Sequence, residues 1–411
     1  MGRSYGDSCL NEGGALLDMR GLDRFIALDA EAGLLEAEAG LTFAAILGRL
    51  TEIAAPGRTW FLPVSPGTKF VTLGGAIAND VHGKNHHSAG CLGNHIVSLR
   101  LLRSDGTVVL CAPDRNAALF AATIGGLGLT GVILSAVLRL KPVASMWLET
   151  EEIRMDHLAD FASLSDASEN SWDYTVAWID CLARGAALGR GIFTRARHAR
   201  HPGPPPPPVS TPKRRLPIEL PAGLLSAASI GAFNALYRAR APRTPRRRTL
   251  SYEPVFYPLD AVAHWNRMYG RPGFHQYQCV IPRAGAADAI PALLRTIADA
   301  RQGSFLAVLK TFGDRVSPGM LSFPRPGTTL ALDFPNQGPA TTDLLDRLDA
   351  ITTDAGGRVY PAKDGRLSPA HFQHAYPMWR DFAQHVDPNL SSSFWRRVSA
   401  QAPTEAFCGT S

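Results

Sequence analysis

Between Val81 and Gly90 the chain reads VHGKNHHSAG, which puts His82, Lys84, His86 and His87 within six residues of a protein that has 12 histidines in all. Imidazole and amine at this density suit metal ligation, proton transfer or hydrogen bonding to an anion. His82 and His86 are four apart, the spacing of two ligands on one helix face. Gly83, Asn85 and Gly90 make a poor helix, however, and no H-E-x-x-H motif accompanies them, so no metal is expected. A solvated polar loop is the plain alternative, because loops are where such residues collect. The stretch upstream, PVSPGTKFVTLGGAIAND, favours a third reading. Its small residues at 74–76 let an anionic ligand approach the backbone, where amide N–H groups and a helix starting at Thr68 or Thr72 could hold a pyrophosphate. His82 and Lys84 would then stand beside a bound cofactor.

A second glycine cluster, GLGLTG at Gly126–Gly131, has the G-x-G-x-x-G spacing of a dinucleotide site. That fingerprint requires a strand before the glycines and a helix after them. Here a helical stretch (Asn116–Ile124) precedes and a β-rich run (Val132–Leu140) follows, so a nicotinamide site is not expected. Other elements are local in origin. Leu35, Ala37 and Ala39 alternate with Leu34, Glu36 and Glu38 in a strand pattern, and Thr42 is placed to cap the helix FAAILGRL. Residues His95–Cys111 read as two strands around Asp105-Gly106. Strands return in HQYQCVIP, SFLAVLKTFG and TTLALDFP, and a helix is expected over Asp343–Asp354. Gln276 and Gln278 share one strand face, as do Lys310 and Phe312; on alternation alone such faces are simply exposed.

With 411 residues, 45% of them hydrophobic and 19% charged, the chain is globular and long enough for two or three cores. It has no apolar run of membrane-spanning length, and its N-terminus lacks the layout of a signal peptide. Six scattered cysteines with no C-x-x-C pair suit free thiols and a cytoplasmic location. The net charge of +6 is local: residues 201–250 carry nine basic side chains against Glu219 alone. Within that segment five consecutive prolines predict an extended polyproline stretch. Beyond it, LPAGLLSAASIGAFNALY (Leu220–Tyr237) is apolar on most faces and flanked by basic runs. This pattern suits peripheral contact with anionic lipid through 213–248, on the inner face of the membrane, with a disordered basic loop as the alternative. The basic residues are not interleaved with stacking aromatics, so nucleic acid is not an expected partner.

Several blocks together resemble a known family. GRSYGD (Gly2–Asp7), PGT and VTLGGAIA (Pro66–Ala78), HGKNHHSAG (His82–Gly90), GGLGLTG (Gly125–Gly131) and AKD (Ala362–Asp364) are similar to those of the decaprenylphosphoryl-β-D-ribose 2′-oxidases. These are flavoenzymes of the FAD-binding p-cresol-methylhydroxylase (PCMH)/vanillyl-alcohol-oxidase superfamily. The resemblance covers nearly the whole chain, and HGKNHHSAG is its most specific block. It implies an α+β, two-domain FAD-binding PCMH-type flavoprotein. The FAD-binding domain would span 1–145 with a C-terminal return at 358–411. An antiparallel-sheet substrate-binding domain at 146–357 would lie between them and carry the Pro/Arg-rich insertion 200–250.

By the same resemblance Arg3, Ser4, Tyr5 and Gly6 match a pyrophosphate loop, and Gly67, Gly74, Ala76, Asn79, His82 and Gly83 match further FAD contacts. Some relatives attach FAD through a histidine in the first loop; GRSYGD has none, which implies non-covalent FAD. Lys84, Gln276, Gln278, Lys310, Phe312 and Lys363 become substrate-pocket positions. Lys363 or His82 would be the base that takes a hydroxyl proton while hydride leaves for the flavin, a lysine serving only if its pKa is lowered. The implied substrate is a polyprenyl-phosphoryl-β-D-ribose, oxidised at its 2′-hydroxyl. A separate NADH-dependent keto-reductase would complete the epimerisation to arabinose for cell-wall arabinan. Ala331 stands where the family pattern has cysteine, Thr329 where it has asparagine, and the tyrosine before Pro258 is shifted to follow Phe256. These departures bear on the substrate more than on the flavin. An aldonolactone or alditol oxidase using O2 is the alternative on the same scaffold, and a flavin-less binding module is the alternative outside enzymes. The family has a strand–helix–strand unit ahead of the first loop, in which this chain begins, so the chain is expected to hold FAD poorly.

Overall fold

The computed structural model describes residues 1–400 apart from positions 56, 58, 202–207, 210, 213 and 222. Four of the five consecutive prolines and Lys213, where the expected lipid contact starts, lie outside the described residues.

Alternation builds the first sheet. Leu35 and Ala37 are fully buried while Leu34 and Glu36 are half-buried, so one face of their strand belongs to a core. Five strands join there: β1 (Phe25–Asp29), β2 (Leu34–Glu38), β3 (Ile96–Leu102), β4 (Val108–Cys111) and β5 (Val132–Arg139). They are antiparallel throughout, in the order β1-β2-β5-β3-β4. The helix Phe43–Glu52 shares this core, and the Thr42 hydroxyl accepts from the Ala45 N–H at 3.2 Å, as its sequence predicts. The GLGLTG turn runs from the helix Ala117–Thr123 into β5, the reverse of a nicotinamide site. Its Gly125 and Leu127 amides donate to Ile77 and Ala78 at 3.0 and 2.7 Å, tying the turn to the end of the short helix Leu73–Ala78.

The second sheet has eight strands: β6 (Trp147–Met155), β7 (Tyr174–Ile179), β8 (Gly191–His198), β9 (Arg246–Ser251), β10 (Phe274–Pro282), β11 (Ala307–Phe312), β12 (Gly327–Pro335) and β13 (Arg358–Val359). Their order is β9-β6-β8-β7-β11-β12-β10-β13, antiparallel at every pair. Tyr277, Cys279, Leu309, Leu330 and Leu332 point to one face, where the helices Arg283–Ala300 and Pro339–Asp354 cover them with Leu293, Ile297 and Leu348. Alternation therefore turns residues 276, 278, 310, 312, 329, 331 and 333 to the other face.

The basic insertion departs from its sequence reading. Arg246 and Arg247 lie on β9, an edge strand of the large sheet, opposite Glu152 and Glu151 of β6. Both form ion pairs with those carboxylates, and Arg238 pairs with Asp156. Three of the nine basic groups are thus met by acids of the fold itself: β6 presents Glu151 and Glu152 to the arginines of β9, and Asp156 just beyond β6 meets Arg238. The apolar stretch forms the helix Ala227–Ala239, docked through Ile230 and Asn234; the Asn234 amide donates to Asp180 at 2.9 Å. Ile218, Leu224, Phe233 and Leu236 remain exposed. No helix among the described residues is long and apolar enough to cross a membrane.

Candidate active site

The first loop folds onto the far end of the chain. Tyr5 N–H donates to Ala362 O at 2.8 Å, and the Arg397 guanidinium joins Asp7 at 2.7 Å to Asp364 at 3.0 Å. Gly6 has φ +68°, and a Cβ there would stand 1.8 Å from the Asp364 carbonyl oxygen. Lys363 closes the turn Pro361–Lys363 and holds its ammonium 4.1 Å from the centre of the Tyr5 ring. Ser4 Oγ donates to Asn79 Oδ1 at 3.4 Å, and Arg3 lies over the Phe70 ring at 5.6 Å. Asn79 caps the helix Leu73–Ala78 and accepts from the Tyr360 hydroxyl through its carbonyl at 2.9 Å. Residues 3–6, Asn79 and Lys363 are therefore brought together from the two ends of the sequence.

The glycines at 74 and 75 serve another purpose than the one expected. The Gly74 N–H donates to Ala39 O at 2.7 Å, the Gly75 N–H to Thr72 Oγ1 at 3.2 Å and the Ala76 N–H to Thr72 O at 2.8 Å. These amides are already bonded, so they do not form an open phosphate cradle. A Cβ on Gly74 would lie 2.8 Å from the Ala39 Cβ, and Ala76 is buried in the first core; both positions pack the helix on β2. Gly83 is buried against the Ser65 backbone. Gly67 is exposed, with nothing within 4 Å of the place a Cβ would take.

The histidine loop divides between two surroundings. His87 Nε2 donates to Trp172 O at 3.0 Å and Asn85 to Pro63 O at 2.7 Å, away from the open face of the sheet. His82 and His86 turn toward Phe312, with ring centres 4.9 and 4.3 Å away, and Phe323 and Tyr360 close the wall around His82. His86 Nδ1 accepts from the Gly313 N–H at 3.2 Å, and burial pushes its pKa down to about 3. Gln278 Nε2 lies 2.9 Å from His82 Nε2 and 3.3 Å from Thr329 Oγ1. Gln276 donates to Asp333 Oδ1 at 2.6 Å. Among the described residues no group of three or more His, Cys, Asp and Glu is placed to hold a metal.

Three lysines converge on this face. Burial, then the cations of Lys84 and Lys363, push Lys310 down to about 7. Burial alone takes Lys84 to about 8, although its ammonium donates to Val255 O. Lys363 is pushed to about 8 by burial, with Asp333 opposing the shift. None of the three forms an ion pair among the described residues. Burial raises the Asp333 carboxyl to about 7, and its Oδ2 has no partner among them. Amines with lowered pKa values that are electrostatically coupled mark a place for proton transfer and for an anion.

The chain is similar to known flavoproteins. A family profile described as an FAD binding domain matches residues 1–112. A decaprenylphosphoryl-β-D-ribose oxidase of Mycolicibacterium smegmatis is 35% identical over 97% of this chain and 88% of its own. The chain belongs to the decaprenylphosphoryl-β-D-ribose oxidase family. An uncharacterized protein of the mprA 5′ region in Streptomyces coelicolor is 39% identical over 86% of this chain and 99% of its own. A D-arabinono-1,4-lactone oxidase of Yarrowia lipolytica matches over 26% of this chain and 20% of its own, at 29% identity. Members of this decaprenylphosphoryl-ribose oxidase family are α+β flavoproteins and FAD-dependent oxidoreductases, and FAD is the cofactor here.

The residues present fit that cofactor. His82 Nδ1 is buried without a partner among the described residues and can meet an electron-rich ring, and the three lysines add cationic donors on the same face. Two further members of the site belong to no motif in the sequence. Asp333 lies two places beyond Ala331 on the strand face that already includes Thr329, so the period of two reached it. Tyr360 lies beside the AKD block, but only the fold brings it against His82.

Proposed function

We propose that this chain oxidises the 2′-hydroxyl of a polyprenyl-phosphoryl-β-D-ribose to the 2′-keto sugar. The observation that carries this reading is the convergence of Lys84, Lys310 and Lys363 with His82 and Gln278 on one sheet face. The relative named for decaprenylphosphoryl-β-D-ribose supports it. When bound, FAD supplies the two-electron acceptor for the hydrogen leaving the carbinol carbon. Arg3, Ser4, Tyr5, Gly6, Gly67 and Asn79 would hold it non-covalently, with His82 and Gly83 toward its ring. Lys363, neutral above about pH 8, takes the hydroxyl proton on Nζ. Lys310 and Lys84 meet the sugar phosphate, Gln276 and Gln278 its hydroxyls, and Phe312 walls the ring.

Denaturing the flavin-loaded chain should release its flavin into solution, as non-covalent binding requires. Anaerobic polyprenyl-phosphoryl ribose should bleach the flavin, and an NADH-dependent keto-reductase should carry the product on to the arabinose epimer. Bleaching by an aldonolactone or a polyol but not by the polyprenyl sugar would overturn the reading.

The exposed Ile218, Leu224, Phe233 and Leu236 support peripheral contact with the membrane in which such a substrate lies. With Arg238, Arg246 and Arg247 already paired, this contact is more apolar than the sequence suggests. The chain should co-sediment with anionic vesicles and keep most of that binding in high salt. No co-sedimentation at any ionic strength would refute the contact.

A further inference from the structure

His82 has two ring nitrogens, and its surroundings decide which one carries the proton. Thr329 Oγ1 lies 2.8 Å from the carbonyl oxygen of Cys279, an atom that only accepts, so the hydroxyl proton points there. The same hydroxyl oxygen sits 3.3 Å from Gln278 Nε2 and, with its one proton committed, accepts from that amide. Were the carboxamide turned over, two oxygens would face each other with no proton between them. The amide nitrogen is therefore held inward, and its second N–H donates to His82 Nε2 at 2.9 Å. A donor at Nε2 requires a lone pair on Nε2, which leaves the proton of the neutral ring on Nδ1. Burial keeps the ring neutral, with the cations of Lys310 and Lys363 and the neighbouring His86 acting in the same direction. The remaining neighbours, Phe312, Phe323 and Tyr360, are aromatic rings. Nδ1–H is thus a buried donor, and it meets no acceptor among the described residues.

We propose that Thr329 is a positioning residue that sets the His82 tautomer through Gln278, making His82 a hydrogen-bond donor from Nδ1 and not the base. Its acceptor is a lone pair of the bound cofactor or sugar; only the identity of that acceptor rests on the functional reading above. The relay joins three segments that the fold alone brings into contact: the histidine loop, β10 and β12.

The test is a long-range proton–nitrogen spectrum of the flavin-loaded protein labelled with 15N-histidine, with His82 assigned by its loss in H82Q. The wild-type His82 should be a single Nδ1–H tautomer, unchanged across neutral pH. Thr329→Val leaves the amide free to turn over; His82 should shift toward Nε2–H, and kcat/KM should fall about tenfold, the weight of one positioned hydrogen bond. Thr329→Ser should restore both. Gln278→Glu can only accept from the ring and should force Nε2–H, which tests the relay if the valine variant does not fold. Signals of His198, anchored by Ser145 O at 2.7 Å, report that the fold is intact. A wild-type His82 protonated on Nε2, or a folded Thr329→Val protein with the wild-type His82 signals, would overturn the proposal. The Nδ1–H tautomer in an enzyme that ignores polyprenyl-phosphoryl ribose would support it and reject the functional reading.

Discussion

Lys363→Met is expected to lower kcat by about 10²- to 10⁴-fold, the usual weight of a general base, while leaving the flavin bound. The argument rests on where the amine stands. Burial pushes its pKa down to about 8, so a usable fraction is neutral near physiological pH. Its neighbour His82 is held as a donor and is unsuited to take the proton. The sign of the pH dependence follows. The neutral amine is the active form, so kcat should rise with pH and level off above about 8. Lys363→Met should flatten that limb. Lys310, pushed to about 7, lies in the same electrostatic cluster, so the apparent pKa belongs to the group of lysines and not to one of them. Removing the Lys310 amine should leave the limb near 8, because Lys310 is pushed lower and is already largely neutral where Lys363 titrates. Anaerobic stopped-flow reduction across pH 6 to 10 reads the wild type and both variants. A Lys363→Met enzyme within tenfold of wild type would reject the base assignment.

The legible parts of this protein are those written in short-range chemistry. Thr42 caps its helix because a hydroxyl before an apolar run satisfies a free amide three residues on, whatever else the chain does. The faces of Gln276, Gln278, Lys310 and Phe312 follow from the period of a strand. Asp333 obeys the same rule, two places beyond Ala331 on the same face. What alternation cannot say is what lies opposite. His82 and Gln278 are 196 positions apart, and no local pattern predicts that they share a hydrogen bond. The arginine run meets the same limit. Its charge looked unopposed because Glu151 and Glu152 lie far upstream, and only strand pairing brings them across from Arg247 and Arg246. Gly74 and Gly75 show the converse. Small residues signal a close approach, but the sequence does not name what approaches, and at Gly74 it is Ala39.

Gly6→Ala should empty the flavin site. Two costs coincide at this residue. Its φ of +68° is one an L side chain adopts at a cost of about 1–2 kcal/mol. The added Cβ would also fall 1.8 Å from the Asp364 carbonyl oxygen, so one of the two segments must move. Asp364 is the less able to yield. Its carboxylate accepts from the Arg366 and Leu367 amides at 2.9 Å each and from Arg397 at 3.0 Å. The first loop therefore lifts, adding about 1–3 kcal/mol of overpacking and parting Tyr5 from Lys363. Gly2→Ala is the matched control: φ is +58°, but nothing lies within 4 Å of the new methyl group. Flavin released on denaturation should fall below about a tenth of wild type in Gly6→Ala, as about 1.4 kcal/mol or more of lost binding requires, and stay near wild type in Gly2→Ala. Equal flavin in both variants would mean that the loop can carry a side chain against Asp364, and residues 3–6 would then lose their assigned part in holding the cofactor.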